Sequence, residues 1–184
     1  NTTALPATAA ISARDAGVTP YASLSAADKE ARRLCYSAAD RTAYGGSAAA
    51  ALDASLVAGK VVLCERGNSA RIDKSKVVGE LGGAGMVLID TANSLVSEVH
   101  SVPAVHISLA DGTALRSYVQ ANSGATVAIS AWSPQVGSTP APVMASFSSR
   151  GPNQGYTSIL KPDLTAPGVD VIAGVTPVKT QSER

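Results

Sequence analysis

The sequence predicts an α+β fold with a mixed sheet that includes a βαβ unit and with two main helices. Two continuous apolar runs, at 61–64 and 86–89, have the composition of parallel strands that are covered on both faces. The segment between them has helical periodicity, and Gly82 and Gly83 follow it as a helix stop. Because such crossovers are right-handed, these observations indicate two parallel strands with a helix packed on one face.

The helix of this unit is predicted to begin at a cap formed by Asn68 or Ser69. Five of its residues recur at spacings of three and four: Ala70, Lys74, Val77, Val78 and Leu81. Four polar residues follow the two strands at one sheet edge: Glu65, Arg66, Asp90 and Thr91. We expect Glu65 and Arg66 to form a solvated ion pair or a turn. Since the glycines follow the helix rather than precede it, a nucleotide-phosphate site is disfavoured.

The remaining elements are weaker in pattern. A first strand has alternating apolar residues: Leu5, Ala7, Ala9 and Ile11. Ser25 is predicted to cap a short helix that runs toward Leu34, whereas 36–58 is predicted to be a long connection. A strand at 104–109, a helix capped by Asp111 and a strand at 125–130 follow. That helix is predicted to have Leu115, Tyr118 and Val119 on one face.

Composition limits the classes of function. The chain has 184 residues, of which 45% are hydrophobic and 16% charged, and its net charge is +1. A charge so close to zero argues against nucleic acid as a partner. No apolar run is long enough to span a membrane, and residues 1–10 lack the pattern of a signal peptide. We expect no cofactor and no metal, because the two histidines, His100 and His106, lack metal-ligand spacing.

The distribution of proline divides the chain. Seven of the ten prolines follow position 133, so this tail cannot form long helices. We therefore predict a flank at 1–25, a compact module at 26–133 and a second flank at 134–184.

Two groups of motifs resemble a known family. Residues 145–153 (ASFSSRGPN) and 160–170 (LKPDLTAPGVD) resemble the stretch of subtilisin-like serine proteases that precedes their catalytic serine. Residues 59–67 (GKVVLCERG) and 82–88 (GGAGMVL) resemble the protease-associated (PA) domain that is inserted in the larger members of that family. The resemblance identifies 26–133 as a PA domain and 134–184 as a flanking segment of the catalytic domain.

The resemblance implies a role without a catalytic residue in this chain. The serine of the family lies in a Gly-Thr-Ser-Met motif, which the sequence lacks, and the aspartate, histidine and oxyanion asparagine of the family precede the insert. The implied partners are protein or peptide substrates of the parent protease, the rest of the catalytic domain, and other protease molecules. The implied location is extracellular. In such an oxidising compartment Cys35 and Cys64 are predicted to form a disulfide, with two free thiols as the alternative.

A loop at 91–102 is the candidate contact surface, because it follows a parallel strand at the edge where such sheets bind ligands. Its candidate residues are Ser94, Leu95, Val96, Glu98 and His100. The alternative is a solvated loop whose Leu95 and Val96 fold back on the core. His100 and His106 are predicted to be a surface-loop and a strand histidine rather than a catalytic or metal pair.

Three functions remain open from the sequence. The first is an accessory insert of a secreted subtilisin-like endopeptidase, which presents or restricts substrates or mediates protein contacts. The others are a stand-alone interaction domain and a small-molecule-binding α/β domain that uses the loops after Cys64 and Ile89.

Overall fold

The described residues form a five-stranded mixed sheet with helices on both faces. A computed structural model of the chain describes residues 4–91, 95–131, 133, 142–145, 148, 151–159, 161–169 and 171. The strands are β1 (Leu5–Ser12), β2 (Val61–Glu65), β3 (Gly85–Ile89), β4 (Ala104–Ile107) and β5 (Thr126–Ile129), in the spatial order β4-β3-β2-β1-β5. The helices are α1 (Ala26–Arg33), α2 (Ala38–Tyr44), α3 (Ala54–Val57), α4 (Arg71–Glu80) and α5 (Leu109–Ala121).

Four of the strands are parallel. β1 pairs with β2, β2 with β3, and β3 with β4 in parallel register, whereas β5 pairs with β1 antiparallel. The βαβ unit is β2-α4-β3, and the two longest helices are α4 and α5. The predicted α+β class and mixed sheet are therefore confirmed. β1, which we assigned to the first flank, lies inside this sheet, and the remaining domain limits stay a prediction.

The two faces of the sheet bury two different clusters. Alternate residues of β2 and β3, including Val62 and Leu88, pack with Val77 and Val78 of α4. The intervening residues, such as Leu63, pack on the opposite face with the cluster that contains α5. Each central strand is thus covered on both sides, which explains its continuous apolar run.

The predicted long connection contains two helices. Ser37 caps α2, and its hydroxyl accepts a hydrogen bond from the backbone N–H of Asp40 while the Asp40 side chain accepts one from the backbone of Ser37. α3 begins after Asp53, whose carboxylate accepts from the N–H of Ser55. The segment at 36–58, which we predicted to be a long connection, therefore contains helices that its low apolar periodicity does not indicate.

Three local predictions also need correction. α4 begins after Ala70 rather than after a cap by Asn68 or Ser69, and α5 is capped by Ser108 rather than by Asp111. β1 does not alternate as predicted, because a register shift interrupts its pairing with β5 between Leu5 and Thr8. The helix stop at Gly82 is confirmed, since its φ of +75° is left-handed.

The disulfide joins the end of α1 to β2. Cys35 and Cys64 are bonded, with their Cα atoms 5.7 Å apart. Cys35 itself has a left-handed backbone, with a φ of +54°. Both cysteines are fully buried, so the bridge lies within the core rather than on its surface.

Candidate functional site

The carboxyl ends of the parallel strands meet at one edge of the sheet. β1, β2, β3 and β4 all end there, and α4 and α5 begin there. Parallel sheets place ligands at this edge, so its side chains define the candidate site. Three groups of contacts make up the edge: a cluster around Glu65, a pair around Asp90, and the loop that follows β3.

Glu65 is the centre of an arginine cluster. Its Oε1 accepts hydrogen bonds from Nη2 and Nε of Arg14, at 2.6 and 2.9 Å, and from Nη1 of Arg116 at 3.0 Å. Its Oε2 accepts from Nη1 of Arg33 at 2.9 Å. The Glu65 side chain is only 10% exposed. The predicted solvated pair of Glu65 and Arg66 was therefore wrong, because Glu65 is enclosed by arginines that are distant in sequence.

Arg66 instead pairs with the next strand. Its Nη1 lies 3.0 Å from Oδ1 of the fully buried Asp90. Nε2 of His106 lies 3.7 Å from the same Oδ1. Burial lowers the pKa of His106 below its ordinary value, which favours the neutral ring, and Nδ1 of that ring accepts a hydrogen bond from the Val96 N–H at 3.3 Å. The β3 and β4 ends thereby hold the loop at Val96.

Two further contacts fix the same loop. The carboxylate of Glu98 receives two hydrogen bonds from Arg71, from Nε at 2.6 Å and from Nη2 at 2.9 Å. Nδ1 of His100 lies 3.2 Å from Oγ of Ser75 on α4. His100 is buried, and burial lowers its pKa, so the prediction of a surface histidine was wrong. Glu98 and His100 anchor the loop and do not present a free polar surface.

The apolar residues of the loop have different positions. The side chain of Leu95 is 57% exposed and that of Val99 is 88% exposed, whereas Val96 is half-buried. Ser94 lies outside the described residues. Of the five candidate residues, the described ones do lie on one loop, but only Leu95 presents an exposed apolar side chain. Sequence reasoning missed Val99. It lies between Glu98 and His100, whose anchoring contacts are seen only in the structure.

The described residues do not form a site for a metal ion or a membrane span. Among them, no group of three or more His, Cys, Asp or Glu side chains is placed to hold a metal ion. In the same part of the chain, no helix has the length and apolar character to cross a bilayer. The side chains at the edge form ion pairs, and two apolar residues of the loop are exposed there.

Comparisons with known proteins give the family. The model of the PA domain family matches residues 14–115. Subtilisin-like protease SBT1.4 of Arabidopsis thaliana is 42% identical over 166 residues, which cover 87% of this chain and 21% of that protein. Subtilisin-like protease SBT1.3 of the same plant is 44% identical over 129 residues, which cover 68% of this chain and 16% of that protein. Subtilisin-like protease SBT1.7 is 46% identical over 123 residues, or 65% of this chain and 16% of that protein.

The match with SBT1.4 covers most of this chain, although the chain spans only about a fifth of the length of that relative. The family model covers more than half of the chain, from the end of β1 into α5. The chain belongs to the PA domain family, in a segment that is similar to subtilisin-like proteases of Arabidopsis thaliana.

Proposed function

We propose that this PA domain is an accessory module of a secreted subtilisin-like serine endopeptidase, and that it contacts protein substrates through the loop at 95–101. The observation that carries the proposal is a pair of exposed apolar side chains, Leu95 and Val99, on a loop whose backbone is fixed at several points. In this proposal the chain supplies contacts to the substrate, and the catalytic residues come from elsewhere in the protease.

The anchoring of the loop supports a contact role on physical grounds. Binding orders side chains and loops, which costs about 0.5–1.5 kcal/mol for each flexible side chain that becomes immobile. Here Val96, Glu98 and His100 are already held by His106, Arg71 and Ser75. Because the loop is ordered before any partner binds, apolar contact with Leu95 and Val99 adds to affinity with little further ordering.

The disulfide supports the proposed location. Cystine bridges form and persist in oxidising compartments and are rare in the cytosol. The bridge between Cys35 and Cys64 closes a loop of 29 positions within the core of the domain. We therefore place the parent protease outside the cytosol, in an extracellular compartment.

The test replaces both exposed apolar residues of the loop in the full-length protease. Leu95→Ser with Val99→Ser should raise KM for a folded protein substrate at least about tenfold, because burial of two such side chains contributes more than about 1.4 kcal/mol. The kinetics on a tetrapeptide ester should not change, since that substrate is too short to reach the loop. Kinetic constants for both substrates are measured side by side.

Val18→Ser is the matched control, because Val18 is 80% exposed and lies outside this loop. It should leave both substrates unaffected. If the loop variant keeps its thermal stability and yet shows the wild-type KM on the protein substrate, the loop is not the contact surface.

A further inference from the structure

The arginine cluster around Glu65 contains more positive than negative charge. Arg14, Arg33 and Arg116 all donate to this one carboxylate. Among the described residues, the only other carboxylate within ion-pair distance of the three arginines is Glu30, whose Oε1 lies 4.0 Å from Nη2 of Arg33. Three guanidinium groups are thus balanced by one close carboxylate and one distant carboxylate.

The three arginines come from separate elements and meet only in the folded protein. Arg14 follows β1, Arg33 ends α1, and Arg116 lies in α5. Their side chains are 28%, 29% and 16% exposed, so the cluster opens to solvent at the edge of the sheet. Asp15 is adjacent in sequence, but it accepts a hydrogen bond from Gln120.

The cluster retains hydrogen-bond donors. Among the described residues, the hydrogen bond of the Arg116 guanidinium runs from Nη1 to Glu65, which leaves Nε and Nη2 for a further acceptor. Arg33 likewise uses Nη1 for Glu65, and among the described residues its Nη2 has only the long contact with Glu30. These donors lie beside a buried carboxylate that already accepts hydrogen bonds from three arginines. A second anion would relieve the repulsion between the guanidinium groups and fill the donors.

We propose that this cluster binds a carboxylate side chain of an acidic peptide segment. The guanidinium fork matches the two oxygens of a carboxylate. In this cluster the guanidinium groups already bind a carboxylate, since two nitrogens of Arg14 donate to Oε1 of Glu65. A nucleic acid would need an extended row of cations along its backbone, and the net charge of +1 provides no such row. The proposal does not depend on the loop at 95–101 or on the parent being a protease.

The test is direct binding by the full chain of a fluorescent hexapeptide made of alternating Asp and Gly. Fluorescence anisotropy at low salt should show binding that weakens as salt is added, because exposed charges are screened. The peptide with Asn in place of Asp should not bind. Inorganic phosphate is added in a second series, and competition only at concentrations well above those of the peptide is expected if the site selects peptide carboxylates.

Arg33→Gln and Arg116→Gln each remove a donor, and each should weaken peptide binding about tenfold, as expected for one charge-assisted hydrogen bond. Lys76→Gln is the matched control, because it removes the same charge from an exposed position on α4 and should leave affinity within about twofold. Arg33→Lys keeps the charge but not the fork, and it should bind at an intermediate level.

Three results would overturn the proposal. They are equal binding of the Asp and Asn peptides, an equal loss in the Lys76→Gln control, and tighter binding of inorganic phosphate than of the peptide. Thermal melting of each variant shows that it is folded. If Arg116→Gln unfolds, the Arg33 variants alone decide the outcome.

Discussion

At the scale of single residues, Lys74 is the most unusual group in the core. Its side chain is fully buried on α4, and its Nζ donates to the backbone carbonyl of Leu34 and to Oγ of Ser69, both at 2.7 Å. The same nitrogen lies 5.5 Å from the centre of the Tyr36 ring. Burial lowers the pKa of Lys74 from 10.5 to about 7, and Asp40 opposes the shift only in part. A neutral amine has two N–H groups, which equals the number of acceptors.

This lysine should make stability depend on pH. Because the folded-state pKa lies below that of the unfolded chain, protonation favours unfolding, and stability contributed by the neutral amine is lost as pH falls from 10.5 toward 7. Between pH 7 and pH 9 the free energy of unfolding should rise by about 2–3 kcal/mol from this group alone. Lys74→Met removes the titration, so the variant should lack this part of the rise in urea denaturation.

The control for this prediction is Lys76→Met, which removes an exposed lysine from the same helix. It should keep the pH dependence of the wild type. Parallel stability curves for wild type and Lys74→Met between pH 7 and pH 9 would contradict the assignment.

Residue environments were the least predictable part of the candidate site. The helical spacing grouped Lys74 with Val77 and Val78 of α4, but it gave no information on the acceptors that make burial of Lys74 tolerable. Glu65 was predicted to be solvated because its partner Arg14 lies 51 positions away in sequence. His100 was predicted to be exposed because Ser75, which contacts it, lies on a different element. Long-range polar partners leave no local signal in a sequence.

At the scale of elements, repeated local patterns were more informative than we recognised. The tetrapeptide Ser-Ala-Ala-Asp occurs at 25–28 and again at 37–40. Both copies cap a helix, α1 and α2, through hydrogen bonds from the Asp N–H to the Ser hydroxyl. The first copy was recognised and the second was not, although the second forms the complete reciprocal capping box. Capping chemistry therefore predicts a helix here where apolar periodicity does not.

The disulfide is the strongest link between α1 and the sheet. It closes a loop of 29 positions, for which the entropy of loop closure corresponds to about 3.6 kcal/mol of stabilisation. Cys35→Ala with Cys64→Ala should therefore lower the free energy of unfolding by about 2–4 kcal/mol. Urea denaturation of the variant and the wild type measures the difference.

Reduction provides the matching control, since wild-type protein in excess dithiothreitol should unfold near the midpoint of the double variant. An unchanged midpoint in the variant would mean that packing, and not the bridge, holds α1 against β2.

At the scale of the whole molecule, the sheet was predicted better than its surroundings. The two central strands and α4 were predictable because burial on both faces gives a continuous apolar pattern. The position of β1 between β2 and β5 was not predictable, because a weakly alternating pattern does not indicate which strands pair with it. Most of the described residues after β5 are exposed, including Val143, Leu164 and Val169.

The exposed segment should exchange its amide hydrogens quickly. Residues 151–159 and 161–169 are all exposed, and those described there form no strand or α-helix. Hydrogen exchange followed by mass spectrometry should label peptides from 151–169 within seconds, while peptides from β2 and β3 stay protected because their amides are bonded within a buried sheet. Equal protection of both regions in a monomeric sample would contradict this prediction, because it would mean that the segment packs on the rest of the same chain.

The pairing of β1 with β5 determines how the domain is connected to other segments of a protein. Leu5 and Ile129 are opposite each other in this antiparallel pair, so the chain enters and leaves the domain through neighbouring positions about 5 Å apart. In a protein that carries the domain as an insert, the more than a hundred residues of the domain take the place of one surface turn. A short linker of a few residues could close the gap left by deletion of 5–129, and gain or loss of the domain requires no rearrangement of the protein that carries it.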